Sequence, residues 1–229
     1  METLTAMKLS KKTIEILKNF STINSNILVE PGNVIKTISP VKNVMAQATV
    51  SETFDTQFGI WDLNKLLGTI SLFESPEFFF EKNNVTIVGS NGTKVTYYYS
   101  EPKLLTTINK TITMPETVVS FELNNDDFSE LQKAASVLQL PDLCLRSSGN
   151  IIELVAMDKK DSTSNNYSVE VGTNNENEDF EFYFKVENLK LMPGDYDVEV
   201  TEKVVSKFTN QSTDLSYWIA LESDSRYER

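Results

Sequence analysis

Short runs of β-branched and aromatic residues, separated by compact turn signals, recur from residue 26 to residue 221 and constrain this chain more than any other feature. That spacing belongs to antiparallel sheet. Residues 26–30 and 33–39 flank Pro31-Gly32, and residues 85–88 and 93–99 flank Ser90-Asn91-Gly92. Residues 143–146 and 151–157 flank Ser147-Ser148-Gly149-Asn150. Each pattern predicts a hairpin. Further strands are expected over 118–123, 167–171, 180–184, 196–201 and 215–221. Alternation is clean in several: Tyr196, Val198 and Val200 share one face, with Asp195, Asp197 and Glu199 on the other.

Four segments break the two-residue period. In residues 8–20, Leu9, Thr13, Ile16, Leu17 and Phe20 fall on one helical face, opposite Lys8, Lys11, Glu15 and Lys18, with Lys12 at the flank. Asp62 can cap a helix over 63–73, where Leu63, Leu66, Leu67 and Ile70 form a stripe. Asn124 can cap one over 125–140. Asp126 and Asp127 suit its first turn, and Pro141 stops it. Residues 185–192 read as a short helix or turn, ended by Pro193-Gly194. Helical segments thus precede residue 75 and follow residue 123, each leading into strands. The expected class is α+β, with two halves of similar plan: residues 1–100, a Thr-rich connecting segment 101–117 holding Pro102 and Pro115, and residues 118–229. Residues 159–166 and 174–179 read as polar loops.

With 40% hydrophobic and 24% charged residues, the chain can build a core and is too apolar for disorder. No apolar run approaches the roughly 18 residues of a membrane span. The start, Met1-Glu2-Thr3-Leu4-Thr5, lacks a basic region followed by a long apolar one, so no secretory signal is expected. Cys144 is the sole cysteine, which permits no intramolecular disulfide and suits a reducing compartment.

A balance of 21 basic against 33 acidic residues, net −12, argues against tight nucleic-acid binding, because phosphate contacts supply most of such affinity. The average hides a division. The four helical segments hold 8 basic and 6 acidic residues, and the remainder holds 13 basic and 27 acidic. The first segment alone is +3. Two readings stand: lysines on an ordinary solvated face, or a surface that tolerates a phosphate backbone while the body repels it.

Catalytic chemistry has little to build on. No histidine occurs, and no Walker or Rossmann glycine pattern. Asp126-Asp127 reads as helix capping rather than a metal pair, and Asp158 and Asp161 as solvated beside Lys159 and Lys160. Cys144 reads as a small core residue, and Trp61 and Trp218 as core. Phe78-Phe79-Phe80 cannot all face one side of a strand. The run fits either a subunit contact or a strand covered on both faces. The residues therefore point to no enzyme, no metal and no cofactor.

Four stretches resemble a known family. Met7-Lys8-Leu9-Ser10-Lys11 through Leu17-Lys18-Asn19-Phe20, then Thr22-Ile23-Asn24-Ser25, is similar to the amino terminus of the T-even-type bacteriophage sliding clamps. Trp61-Asp62-Leu63-Asn64, with Leu67-Gly68 and Ile70-Ser71-Leu72, resembles that family's second helix. Met192-Pro193-Gly194-Asp195-Tyr196 resembles the turn after its fourth helix. Tyr217-Trp218-Ile219-Ala220-Leu221-Glu222-Ser223-Asp224-Ser225 resembles its last strand. The matches keep the family's order, with residues 1–6 as an extension or an upstream start.

The resemblance implies a DNA-clamp fold, with two similar domains that each pack two helices on antiparallel β-sheet. It implies a homotrimer that closes into a ring around double-stranded DNA. It further implies a processivity factor for the phage DNA polymerase in the host cell cytoplasm, placed by an ATP-dependent clamp loader, with a role in late transcription through transcription factors. Carried over residue by residue, the DNA-facing set is Lys11, Lys12 and Lys18, then Lys8, Lys65, Lys133 and Lys190. Asp126, Asp127 and Glu130 make the third helix a poor DNA face. The family's partner-peptide pocket maps to Leu104, Leu105, Ile108 and Trp218. From the residues alone, a β-rich structural protein of a phage particle or a carbohydrate-binding module would also suit polar strands and an acidic surface. The basic first helix separates those readings from a clamp. A hydrolase is disfavoured by the missing histidine.

Overall fold

The computed structural model describes residues 6–108, 113–175, 178–202 and 204–228. Most of the expected extension at 1–6 and residues 109–112 of the connecting segment lie outside them, as do Glu176 and Asn177 of the polar loop. Contacts divide the chain into two units, Met1–Thr111 and Ile112–Arg229.

The first unit runs α1 (Lys11–Ile23), β1 (Ile27–Val29), β2 (Gly32–Ile38), β3 (Val44–Phe54), β4 (Phe58–Ile60), α2 (Leu63–Ile70), β5 (Glu77–Phe80), β6 (Asn84–Val88) and β7 (Lys94–Tyr98), followed by a 3-10 turn at Pro102–Leu104. Ser10 caps α1, its side chain accepting from the Thr13 N–H at 3.1 Å. Thr13, Ile16, Leu17, Phe20 and Ile23 form the buried stripe. Asp62 caps α2 as expected, accepting from the Lys65 N–H at 2.9 Å. The helix ends at Ile70 rather than residue 73.

Strand pairing is antiparallel throughout this unit: β1 with β4, β2 with β3, and β5-β6-β7 as a meander. Ser90-Asn91-Gly92 turns the expected hairpin, with Gly92 at φ +79°. Pro31-Gly32 does not. Gly32, at φ +117°, redirects the chain so that β1 finds β4 and β2 finds the longer β3. Phe78 and Phe80 share a face, as a two-residue period requires. Phe80 packs on Phe54 and Phe58 at 5.6 and 5.1 Å between ring centroids, and Phe78 is fully buried. Trp61, expected in the core, is 57% exposed just before α2.

The second unit runs β8 (Thr117–Leu123), α3 (Asn125–Leu138), β9 (Asp142–Ser148), β10 (Ile151–Met157), β11 (Tyr167–Thr173), β12 (Asp179–Lys185), a 3-10 turn (Val186–Asn188), β13 (Tyr196–Thr201), β14 (Val205–Asn210), β15 (Leu215–Ala220) and β16 (Arg226–Glu228). One sheet has the order β11-β10-β9-β12-β16, and another places β15-β14-β13-β8 side by side. Gly149 at φ +60° turns the β9–β10 hairpin as expected. Phe180, Phe182 and Phe184 line the inner face of β12, and Cys144 is buried in β9. Burial pushes its thiol up to about 12, so it is an inert core group.

Asn124 caps α3 by accepting from the Asp127 N–H at 2.8 Å. The Met192-Pro193-Gly194-Asp195 turn completes that helix start. Asp195 accepts from the Asn125 N–H at 2.8 Å, and Asn125 accepts from the Gly194 N–H at 2.9 Å. The fourth helical segment contracts to the single 3-10 turn at Val186–Asn188, so α3 has no second α-helix beside it among the described residues of its unit. In the first unit, by contrast, α1 and α2 pack together.

Gly59 fixes how the start of the connecting segment sits on the first unit. A Cβ there would lie 2.6 Å from Leu105 Cδ1 and 2.8 Å from the Ser100 carbonyl. The Ser100 N–H meanwhile donates to the Gly59 carbonyl at 2.8 Å. Gly59→Ala is therefore expected to destabilise the protein by about 1–3 kcal/mol through overpacking, read as a lower denaturant midpoint with an unchanged slope.

Candidate DNA-facing helices and partner groove

The exposed side of α1 is a basic stripe. Lys11, Lys12 and Lys18 are all exposed, Glu15 is the one carboxylate on the helix, and none of the three lysines lies within ion-pair distance of a carboxylate among the described residues. Lys8 stands just before the helix and is partly neutralised by Glu77 at 3.6 Å. The chain beside it is tied down, because Met7 and Phe78 exchange backbone hydrogen bonds of 2.9 and 2.8 Å.

The start of α1 rests on a carboxylate that sequence reading did not single out. Glu52, on the inward face of β3, accepts from the Ser10 N–H and from the Thr13 hydroxyl. It is 8% exposed, and Thr13 is 1% exposed. Burial would raise its pKa, but the hydrogen bonds from Thr13 and Ser10 outweigh it and hold the carboxyl below its usual value. The signal was present: a lone charge inside the inward series Ala46, Ala48, Val50, Glu52, Phe54.

The remaining lysines are less uniform. Lys65 is exposed on α2. Lys133 is exposed on α3, which also carries Asp126, Asp127 and Glu130. Tyr167 donates its hydroxyl to Glu130 at 2.8 Å, so that carboxylate is engaged within the unit. Lys190 is half-buried in the loop after Val186–Asn188, its N–H donating to the Asn188 carbonyl at 2.9 Å. The structure thus gathers Lys11, Lys12 and Lys18 on one helix beside Lys8, with Lys65 in the same unit and Lys133 and Lys190 in the other.

A groove of about 420 Å³ opens in the first unit between β1, β2 and residues 106–108. Leu28, Val34, Ile38 and Ile108 supply apolar wall, and Asn26 and Thr37 supply polar groups. Residues 106–108 are strapped to β1: the Thr106 N–H donates to Asn26 Oδ1 at 3.1 Å, the Asn26 N–H to Asn24 Oδ1 at 3.0 Å, and Asn24 Nδ2 to the Ile38 carbonyl at 2.7 Å. Thr37 Oγ1 is buried with no partner among the described residues. Of the four pocket residues expected from sequence, Ile108 lines this groove. Leu105 is buried against Gly59, and Leu104 is exposed. Trp218 stands on β15 of the second unit, half-buried, with Lys207 Nζ 5.9 Å from its ring centre.

Solved structures carry the same architecture. PCNA of A. fulgidus, with the C-terminal region of FEN-1 bound, superposes with a TM-score of 0.71 at 12% identity over 96% of this chain and 98% of that one. The Helicobacter pylori β clamp bound to a DNA ligase peptide gives 0.70 at 13% identity, over 95% of this chain and 65% of that one. The fold is that of a DNA clamp. Sequence narrows the class. Residues 8–86 match the DNA polymerase processivity factor family, and residues 120–223 match the family described as gp45 sliding clamp, C terminal. The sliding clamp of Vibrio phage KVP40 is 31% identical over 95% of this chain and 100% of that protein. Those of Escherichia phage RB69 and Enterobacteria phage T4 are 31% and 30% identical over 97% of this chain and 100% of each relative. This chain belongs to the phage sliding-clamp family, the non-catalytic processivity factors that tether DNA polymerase to DNA. Membership decides against a particle protein, a carbohydrate-binding module and a hydrolase. No helix of the described residues is long and apolar enough to cross a membrane.

The Glu52 pairing makes stability depend on acid. A carboxyl held below its ordinary 4.5 contributes fully above that value and loses its contribution as pH falls through the lower folded value. Glu52→Gln is expected to flatten the acid limb of the stability–pH curve below about pH 4.5. Denaturant melts at stepped pH check this, and parallel acid limbs would contradict it.

Proposed function

We propose that this clamp closes head-to-tail as a homotrimer and that α1 presents its lysines to the enclosed duplex. The observation that carries the reading is the exposed basic stripe of Lys11, Lys12 and Lys18, without an ion-pair partner among the described residues, on a chain of net charge −12. Lys8 and Lys65 in the first unit and Lys133 and Lys190 in the second take the same role, with α3 contributing least because of its carboxylates. Contact through long, hydrated lysine chains is sequence-independent and salt-sensitive, which suits a ring that must move.

Ring closure needs complementary edges on the two ends of a subunit. β7 and β11 are outer strands of their sheets, with one side unpaired among the described residues. β7 exposes Lys94 and Tyr98, and β11 carries Glu170 between Val169 and Val171. Their pairing between copies removes both free edges. Residues 101–117 connect the two domains, 1–100 and 118–229. The groove beside Ile108 takes an apolar segment of a partner such as the polymerase, with Leu104 as a further contact; Trp218 is a separate candidate contact in the second unit. A clamp loader, late-transcription factors and action in the host cell cytoplasm complete the family's pattern.

Native mass spectrometry tests the assembly: a species of three chains is expected, and a stable monomer at micromolar concentration would overturn it. Reversing Lys11, Lys12 and Lys18 to Glu should leave that mass unchanged and shorten polymerase products, most strongly at low salt, because added salt already weakens the lysine contacts of the wild type. Loss of the trimer in that variant would instead assign α1 to an interface. Ile108→Glu is expected to shorten products at unchanged mass and unchanged DNA loading, and wild-type product length would exclude the groove.

A further inference from the structure

The first turn of α1 contradicts its own electrostatics. Amide dipoles make a helix N-terminus positive, so acidic residues belong there and cations cost stability. α1 has none of the former, and its first two positions are Lys11 and Lys12. Its sequence also lacks half of the usual capping device. In a capping box the N-cap serine accepts from the third helical N–H, and a Glu at that third position accepts from the N-cap N–H. Here Ser10 does its part, but the third position is Thr13, whose short hydroxyl does not supply the carboxylate.

β3 supplies it. Glu52 accepts from the Ser10 N–H, which is the bond the absent Glu would take, and also from the Thr13 hydroxyl. The Ser10 hydroxyl in turn donates to Thr13 Oγ1 at 3.0 Å, so that three hydrogen bonds link Ser10, Thr13 and Glu52 into one cluster. The box is completed in trans, by a residue 42 positions along the chain from Ser10. The anion lies beneath the turn rather than on its surface, so it offsets the dipole without placing a carboxylate beside Lys11 and Lys12.

We propose that Glu52 is a positioning residue for DNA contact: it completes the capping box of α1 from β3 and thereby holds Lys11 and Lys12 at an otherwise unfavourable helix start. The inference rests on the reading that α1 faces the duplex. It adds that lysines at these two positions require a buried counter-charge to stay in register.

The test compares the full-length clamp with Glu52→Gln, which keeps side-chain size and removes the charge. Hydrogen exchange is read at the Ser10 and Thr13 amides, with amides of β10 as internal reference. Clamp retention on nicked circular DNA is read across a salt series. The expected result is faster exchange at the first turn by roughly fivefold to tenfold, the size of a lost N-cap, with β10 unchanged and retention shortened several-fold. Ile219→Val, which trims a fully buried core side chain of β15 at a similar cost in stability, should leave retention at the wild-type value, because a merely structural loss does not displace Lys11 or Lys12. Unchanged first-turn exchange in Glu52→Gln overturns the inference, and so does faster exchange with wild-type retention. A Lys11→Glu, Lys12→Glu double variant separates the two levels. If it shortens retention while Glu52→Gln does not, the role of Glu52 fails and the DNA-facing reading stands. If it leaves retention unchanged, the DNA-facing reading itself fails.

Discussion

Repulsion between like charges is the constraint that the rest of this molecule answers. A protein of net charge −12 works beside a polyanion, and a duplex carries one negative charge per roughly 1.7 Å of its axis. Uniformly spread acidity would keep the two apart. The chain instead sorts its charge by element. Carboxylates concentrate on strands and loops, and α1 is left with three exposed lysines on its outer side that have no ion-pair partner among the described residues. Partial sorting of this kind gives weak attraction at one surface and repulsion elsewhere. That suits a tether that must stay on DNA without gripping it.

The fold makes the sorting possible. Antiparallel sheets in each unit bury one face and leave the other free to be acidic, as Asp197 and Glu199 are opposite Val198 and Val200. Helices need only one apolar stripe, so their other side can carry a different charge. In α1 the stripe Thr13, Ile16, Leu17, Phe20, Ile23 locks the helix to the sheet and leaves Lys11, Lys12 and Lys18 no choice but to face outward. The second unit follows the plan incompletely. Its second helical segment is one 3-10 turn, and α3 carries more carboxylates than lysines. The helices of the two halves therefore carry unequal charge.

Much of this was legible in the sequence, for physical reasons that also explain the gaps. The three α-helices were readable because each combines an apolar stripe with a side-chain cap at Ser10, Asp62 or Asn124. Hairpins with Gly92 and Gly149 were readable because both glycines adopt positive φ at the turn. Pro31-Gly32 misled, since a turn signal says that the chain bends and not which strand it pairs with next. β3, the longest strand, was missed because its inward residues include two alanines and a glutamate, which weakens the apolar alternation. β14 was missed for a similar reason: Ser206 and Asn210 are buried beside Phe208. At the site, exposed lysines were evident from the helical period alone. Glu52 could not be connected to α1, because its partners lie about forty residues away, and the groove wall from Asn26 to Ile38 depends on the same long-range pairing.

On the proposed ring, this acidic chain holds DNA by enclosing it, with contact confined to a lightly basic inner surface. Topology tests that most directly. Clamps loaded on nicked circular DNA should remain through gel filtration at moderate salt and should run off when a single restriction cut makes the circle linear. Retention on the linear product, equal to that on the circle, would contradict enclosure and point to direct binding instead.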